Sequence, residues 1–218
     1  MTDFTRWTRA SAALLALSWS LVSVVPADAA TEAPAAPTNV VETLHVALLG
    51  VMKDADELGY QGRCDRLSPV VQDLYDISFM AEKSVGRHWR ATGEGERQHL
   101  LEIFAGFLVA NYAGNFDGYS GQTFETLGEE QSTQGTMLVR TRLVESDGEA
   151  TQLNYRLRPV DGEWKIIDVY LNGTVSELAL RRSEYSSLIQ REGFDSLLVA
   201  LNQKITTLSE STPADQGP

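Results

Sequence analysis

The segment Glu163–Leu171 carries apolar side chains on both of the faces that it would have as a β-strand. Side chains alternate between the two faces of a strand, so Trp164 and Ile166 fall on one face and Ile167 and Val169 fall on the other. A strand that is apolar on both faces has to be covered on both of them. This segment therefore predicts a strand in the interior of a folded domain.

Three further segments with strand character precede it, separated by turn-forming residues, which predicts an antiparallel four-stranded meander. The predicted strands are Thr123–Gly128, Thr136–Glu145, Thr151–Pro159 and Glu163–Leu171. A two-residue turn at Asp161–Gly162 would oppose Leu157 with Ile166, Tyr155 with Asp168, and Leu153 with Tyr170. An odd-length loop over Asp147–Glu149 would oppose Val139 with Leu157 and Leu143 with Leu153.

This register divides the predicted sheet into an apolar face and a basic face. The apolar face carries Val139, Leu143, Leu153, Tyr155, Leu157, Trp164 and Ile166. The basic face carries Arg140, Arg142, Arg156, Arg158 and Lys165, a composition that is typical of a solvated surface.

Helical periodicity predicts helices on both sides of the strands in the sequence. The first begins at Asn39, which has Glu42 three residues later at a capping-box spacing, and it ends near Gly59. Ser68 and Pro69 predict the start of another helix. A later helix has one broad apolar face, formed by Leu100, Phe104, Phe107, Leu108 and Asn111. Periodicity alone fits a packed core and a cavity wall equally well.

Two helices follow the last predicted strand. Ser176 or Thr174 is positioned to cap the first of them, and Gly193 is positioned to end it. Asp195 is predicted to cap the final helix.

The beginning of the chain has the features of an export signal, which predicts a cleaved signal peptide over residues 1–29. Arg6 and Arg9 form a basic start, and the apolar stretch is interrupted by serines and is shorter than the roughly 20 residues of a membrane anchor, the alternative interpretation. We further predict a disordered lead over 30–38, a single domain over 39–211 and a flexible tail over 212–218.

Composition argues against several classes of function. The formal net charge of -12 disfavours nucleic-acid binding, which needs a basic surface. The three histidines are scattered, and the lone Cys64 is interpreted as a buried small apolar residue, so the sequence predicts neither a metal site nor a cofactor. One arrangement suggests catalysis: Asp168 would share an apolar sheet face with Tyr155 and Tyr170, where a carboxylate could act as a base. A simpler interpretation is that Asp168 accepts hydrogen bonds from a tyrosine or from backbone groups near the end of the sheet.

Two sets of motifs resemble one known family. The C-terminal half reads Trp164-Lys165-Ile166-Ile167-Asp168-Val169, then Gly173-Thr174-Val175-Ser176, Glu184-Tyr185-Ser186-Ser187-Leu188 and Gly193-Phe194-Asp195-Ser196-Leu197. The helical half matches at Phe79, Met80, Val85, Gly86, Trp89, Thr92, Phe104, Phe107, Leu108 and Tyr112. In this order the motifs resemble the MlaC-like family of periplasmic phospholipid carriers, also called toluene-tolerance auxiliary proteins; the inserted Thr174 departs from the pattern.

The resemblance implies an α+β fold, with helices packed on one side of a curved antiparallel four-stranded sheet that encloses an apolar lipid cavity. It implies a monomeric lipid-transport protein of the Gram-negative periplasm that is not an enzyme, with bound lipid as cargo rather than a cofactor. The partners it implies are the lipid-binding subunit of an inner-membrane ABC transporter and an outer-membrane lipoprotein complex, in the upkeep of outer-membrane lipid asymmetry. The candidate lining residues are Phe79, Phe104, Phe107, Leu108, Tyr112, Val139, Leu143, Leu153, Tyr155, Leu157, Trp164 and Ile166.

Three alternatives stay open from the sequence. The chain could belong to the hopanoid-associated subgroup of this family, with a polycyclic lipid as cargo. It could be an adaptor with a filled core and no cavity. It could also be an isomerase-like enzyme that uses Asp168.

Overall fold

The computed structural model describes residues 35–211, and the predicted signal peptide and C-terminal tail lie outside them. The helices of the first half are α1 (Pro37–Lys53), α2 (Ala55–Leu74), α3 (Ile77–Val85) and α4 (Glu94–Asn115). The strands are β1 (Thr123–Gln131), β2 (Met137–Val144), β3 (Ala150–Val160), β4 (Glu163–Leu171) and β5 (Val175–Ser176), and the chain ends with α5 (Glu177–Glu192) and α6 (Phe194–Ser211).

The strands form one open antiparallel sheet in the order β1-β2-β3-β4-β5. The α+β class and the curved sheet are confirmed, but the sheet has five strands rather than four. The additional strand, β5, pairs with β4 only through Tyr170–Ser176 and Leu171–Val175. Sequence patterns missed it because a two-residue strand has no periodicity to detect.

The turn between β3 and β4 has the predicted two residues. Asp161 and Gly162 have φ values of 50° and 88°, as a tight hairpin turn with positive φ at both positions requires, and Leu157 opposes Ile166 as predicted. A β-bulge next to that pair then shifts the register, so Tyr155 opposes Val169 and Leu153 opposes Leu171. The predicted pairs of Tyr155 with Asp168 and Leu153 with Tyr170 are therefore wrong.

The bulge also changes which side chains share a face. Asp168 opposes Arg156, and Tyr170 opposes Asn154, so both lie on the sheet face opposite to Tyr155. Val169 and Leu171 take the places on the inner face that the regular alternation assigns to Asp168 and Tyr170.

The loop between β2 and β3 is odd in length, as predicted, but the pairing is shifted by two residues. Val139 opposes Tyr155 rather than Leu157, and Leu143 opposes Thr151 rather than Leu153. Because the strand period is two, this shift leaves every side chain on its predicted face. The apolar face of the sheet is therefore assigned correctly although its pairs are not.

Helix boundaries differ from the sequence predictions at several points. Helix α1 begins at Pro37 without a side-chain cap and ends at Lys53, and Gly59 lies inside α2 with a φ of 58°. Pro69 also lies within α2, so Ser68 does not start a helix. The burial of Leu67 and Val71 in the core outweighs the local cost of the proline.

The helices after the sheet follow the predictions more closely. The Ser176 hydroxyl caps α5 by accepting a hydrogen bond from the Ala179 N–H at 3.0 Å, and Gly193, with a φ of 91°, ends that helix. Helix α6 begins at Phe194, so Asp195 lies inside its first turn and the prediction that it caps this helix is wrong.

The core lies between the helices and the inner face of the sheet. Leu44 and Leu48 of α1 and Phe104 of α4 pack in one cluster with side chains of the central strands. The strand residues of this cluster with no exposed surface are Val139, Leu157 and Ile166. On the outer face, Arg142 is paired with Glu125 and Arg158 with Asp76, so the predicted basic face is partly neutralised by ion pairs.

Candidate functional site

A cavity of about 460 Å³ lies at one end of the inner face of the sheet. It is bounded by the end of β2, the start of β3, the end of β4, the last turns of α4 and the first turn of α5. Its apolar wall consists of Met52, Tyr75, Met80, Leu108, Tyr112, Phe116, Leu143, Leu153, Tyr155, Val169 and Leu171. The rim reaches solvent, since Asp117 is exposed and Leu171 retains 36% of its surface.

The predicted site residues divide between this cavity and other places. Leu108, Tyr112, Leu143, Leu153 and Tyr155 line the cavity. Phe104, Val139, Leu157 and Ile166 are buried in the packed core, and Phe107 is buried under the guanidinium of Arg181, 5.3 Å from its ring centroid. Trp164 is half-buried against the core, and Phe79 lines a separate cleft on the outer side of the sheet, next to Arg158.

The cavity also has lining residues that the sequence analysis did not identify. Val169 and Leu171 reach it through the bulge in β4, which has no signal in the residue pattern. Tyr75 and Met80 come from the junction of α2 and α3. Tyr75 could have been noticed because it follows the apolar stripe of α2, but its orientation depends on tertiary packing.

The phenol groups of the wall are neutral and bonded to partners. The hydroxyls of Tyr75 and Tyr112 are hydrogen-bonded to each other. Burial raises the pKa of Tyr75 and of Tyr155 above the usual value, and it raises the pKa of Tyr112 to about 12. The wall therefore presents rings and satisfied hydroxyls, with no phenolate in the neutral pH range.

A buried histidine supports the wall from behind. His45 of α1 stacks on the ring of Phe124, with centroids 3.9 Å apart, and its Nε2 lies 3.1 Å from the Tyr155 hydroxyl. Burial lowers the pKa of His45 to about 4, so the imidazole is neutral at neutral pH. This arrangement fixes the orientation of Tyr155 without placing a charge behind the cavity.

The charged groups of the lining are concentrated at the rim. Arg181, in the second turn of α5, is 9% exposed and lies 3.4 Å from the carboxylate of Glu177. Asp117 follows the end of α4, and Glu145 follows the end of β2. The lining thus contains one guanidinium and three carboxylates, beside the amides of Asn111, Asn115 and Gln122.

Asp168 has a structural role in this arrangement. Its carboxylate accepts hydrogen bonds from the Ser176 hydroxyl at 2.6 Å, from the Val169 N–H at 2.9 Å and from the Leu178 N–H at 3.0 Å. These bonds fasten β4 to the start of α5. The predicted grouping of Asp168 with Tyr155 on one apolar face is wrong, whereas its predicted bonding to backbone groups near the end of the sheet is confirmed.

Two further observations concern residues 35–211. No group of three or more histidine, cysteine and acidic side chains in this range could hold a metal ion. None of its helices is long and apolar enough to cross a lipid bilayer. Cys64 is half-buried in a groove beside α4, and burial raises the pKa of its thiol.

Comparisons with known proteins agree with this geometry. The phospholipid-binding protein from Ralstonia solanacearum, whose structure was solved in complex with a phospholipid, has a similar fold, with a TM-score of 0.70 and 20% sequence identity. The alignment covers 80% of this chain and 99% of that chain. Among curated proteins, the search found no match. The sequence profile of the MlaC protein family matches residues 42–203. This match extends over most of the chain, so the chain belongs to the MlaC protein family.

Proposed function

We propose that this protein is a soluble periplasmic lipid carrier that holds the acyl chains of a phospholipid in the cavity between β2–β4 and α4. The observation that carries the proposal is an apolar cavity, open at its rim, in a fold that the Ralstonia protein uses in its phospholipid complex. A volume of about 460 Å³ lies within the range of about 300–1,000 Å³ that is common for ligand pockets.

The physical requirement for a carrier is an apolar surface that replaces water around the acyl chains. Each methylene transferred from water to such a surface contributes roughly 0.8 kcal/mol. The wall described above meets this requirement because its side chains are aliphatic or aromatic and its phenols are neutral and hydrogen-bonded. Nothing in this task needs a nucleophile or a base, so we infer a binding protein rather than an enzyme.

The proposed carrier moves lipid between an outer-membrane lipoprotein complex and the lipid-binding subunit of an inner-membrane ABC transporter. Export through the predicted signal peptide would place it in the aqueous space between those complexes. Membership of the MlaC family supports this role, which would serve outer-membrane lipid asymmetry and solvent tolerance.

Native mass spectrometry of the protein purified from its own cells, followed by extraction of bound molecules, tests the proposal directly. We expect a phospholipid to be released; a hopanoid would redefine the cargo within the same carrier function. A protein that carries no lipid and takes none from vesicles would contradict the proposal.

A matched pair of variants ties lipid uptake to the cavity. Leu143→Arg places a charge in the cavity wall and is expected to lower uptake from vesicles by at least about tenfold, because a buried guanidinium would have to be desolvated or displace the lipid. Leu127→Arg, at a position on β1 that is 45% exposed, is the control and is expected to bind lipid normally. Equal lipid uptake by both variants would show that the lipid does not bind in this cavity.

A further inference from the structure

The rim of the cavity has an electrostatic pattern that bears on which lipid fits. One cation, Arg181, faces three carboxylates, Asp117, Glu145 and Glu177, which gives the lining a formal charge of -2. Only Glu177 is ion-paired with Arg181, and within residues 35–211 no ion pair involves Asp117 or Glu145. The rim therefore has two carboxylates without a cation partner next to an apolar space.

Arg181 is suited to receive a phosphate. The residue is nine-tenths buried, with its guanidinium over the Phe107 ring, and its ion-pair contact with Glu177 is 3.4 Å, longer than the about 2.7–2.9 Å of a strong charge-assisted hydrogen bond. A guanidinium has five N–H donors in a planar fork, which matches two oxygens of a phosphate. The position also restricts the ligand, because a cation that is nine-tenths buried gains most from an anion that enters the cavity with an apolar body.

Asp117 and Glu145 lie on adjacent loops. The segment after α4 packs against the β2–β3 loop, where a Cβ built on Gly121 would lie 3.4 Å from the Ser146 Cβ. Asp117 also follows the C-terminal end of α4, where the helix dipole favours a positive charge. The rim beside Arg181 is therefore favourable for a cation and unfavourable for a second anion.

We propose that the cavity selects a zwitterionic phospholipid with an amine headgroup, whose phosphate binds Arg181 and whose ammonium lies against Asp117 and Glu145. This inference rests on the proposed carrier function and adds the class of headgroup. A phosphatidylethanolamine satisfies both parts of the rim. A phosphatidylglycerol supplies the phosphate but leaves the two carboxylates unpaired, and a diacylglycerol supplies neither charge.

A competition assay tests the proposal. The delipidated protein is incubated with vesicles that contain equal amounts of phosphatidylethanolamine, phosphatidylglycerol and diacylglycerol with identical acyl chains, and bound lipids are quantified by mass spectrometry. We expect phosphatidylethanolamine to exceed phosphatidylglycerol by about tenfold at low salt and by less at high salt. Equal binding of the two phospholipids would overturn the headgroup proposal and leave the carrier function intact, whereas no uptake of any lipid would contradict both.

Variants assign the two parts of the rim separately. Asp117→Asn/Glu145→Gln is expected to bring the ratio of the two phospholipids to within about twofold of one. Glu94→Gln/Glu130→Gln removes the same charge from exposed positions that do not line the cavity, and the wild-type ratio is expected. A ratio that is unchanged in the first variant, or that falls equally in both, would show that the rim does not select the headgroup.

The role of Arg181 is measured by the preference for phospholipid over diacylglycerol. Arg181→Met keeps much of the side-chain volume and is expected to abolish the preference for phospholipid over diacylglycerol while diacylglycerol uptake persists. Arg181→Lys restores a charge without the planar fork and is expected to recover part of the preference. If Arg181→Met instead loses diacylglycerol as well and Arg181→Lys restores all lipids equally, Arg181 only supports the wall and the phosphate assignment is wrong.

Discussion

The two ends of the inner sheet face are built from the same strands but differ in how they are filled. At one end, Val139, Leu157 and Ile166 have no exposed surface and belong to the same core cluster as side chains of α1 and α4. At the other end, Leu143, Leu153 and Val169 surround about 460 Å³ of space. The residue types are alike at both ends, so the difference depends on whether a helix covers the strands closely. An apolar stripe therefore predicts a face that is shielded from water. How closely the helices pack on that face determines whether it forms a core or a cavity wall.

Truncation of a leucine should distinguish the two ends most strongly. Leu157→Ala removes a side chain with no exposed surface from the packed end and is expected to lower the free energy of unfolding by about 2–5 kcal/mol. Leu143→Ala, at the half-buried cavity wall, is the matched variant and is expected to cost only about 1 kcal/mol. Urea unfolding without lipid measures both, and equal losses would mean that the two ends are packed alike.

The region between the packed end and the cavity end of the sheet should lose stability in acid. His45 bonds Tyr155 there, and burial lowers the pKa of the imidazole to about 4 from its usual 6.5. The folded state thus binds a proton less readily than the unfolded state. The stability that comes from the neutral imidazole is complete above pH 6.5 and is lost as the pH falls towards 4, by about 3 kcal/mol in all.

The measurement for this prediction is the unfolding free energy between pH 4 and pH 7. The variant His45→Phe/Tyr155→Phe removes the histidine without leaving an unpaired hydroxyl and is expected to have a smaller slope. His99→Gln, at an exposed position, is the control and should keep the wild-type slope. The assignment to His45 fails if all three proteins have the same pH dependence.

The smallest loss of stability is expected for a substitution of Asp168, which lies on the sheet face opposite to the cavity. Asp168→Ala leaves the Leu178 N–H and the Ser176 hydroxyl without their acceptor and is expected to cost about 1–3 kcal/mol of stability. Lipid uptake at a temperature where the variant is folded should be unchanged, because Asp168 faces away from the cavity. Loss of uptake in a fully folded Asp168→Ala protein would contradict a purely structural role; Asp195→Ala, at an exposed position of α6, serves as the control.

The sequence predicted the four long strands, the faces of their side chains as far as Ile166 in β4, and the hairpin turn at Asp161–Gly162, because these follow from short-range alternation and turn chemistry. It also predicted the cap at Ser176 and the end of α5 at Gly193. It did not predict β5 or the bulge in β4, since both depend on what packs beside the strand. The position of Pro69 within α2 likewise follows from tertiary burial rather than local preference.

The same division applies to the candidate site. Periodicity placed Leu108, Leu143, Leu153 and Tyr155 on the correct faces, whereas Tyr112 was identified only through the family resemblance. It could not separate them from Phe104 or Leu157, which share those faces but lie where the helices and the sheet are in contact. The polar rim could not be predicted from the sequence, because Asp117, Glu145 and Arg181 belong to three different elements that meet only in the folded protein.

The bulge in β4 places one residue, Ile167, outside the regular pairing with β3. Deletion of Ile167 would restore the regular alternation, with Asp168 directly after Ile166, and would leave Val169 and Leu171 facing inward. Such a deletion would shorten the strand without changing the chemistry of the cavity wall. The strand can therefore lose a residue at this one position while the lining stays apolar, whereas deletion of Tyr170 would turn Leu171 away from the cavity.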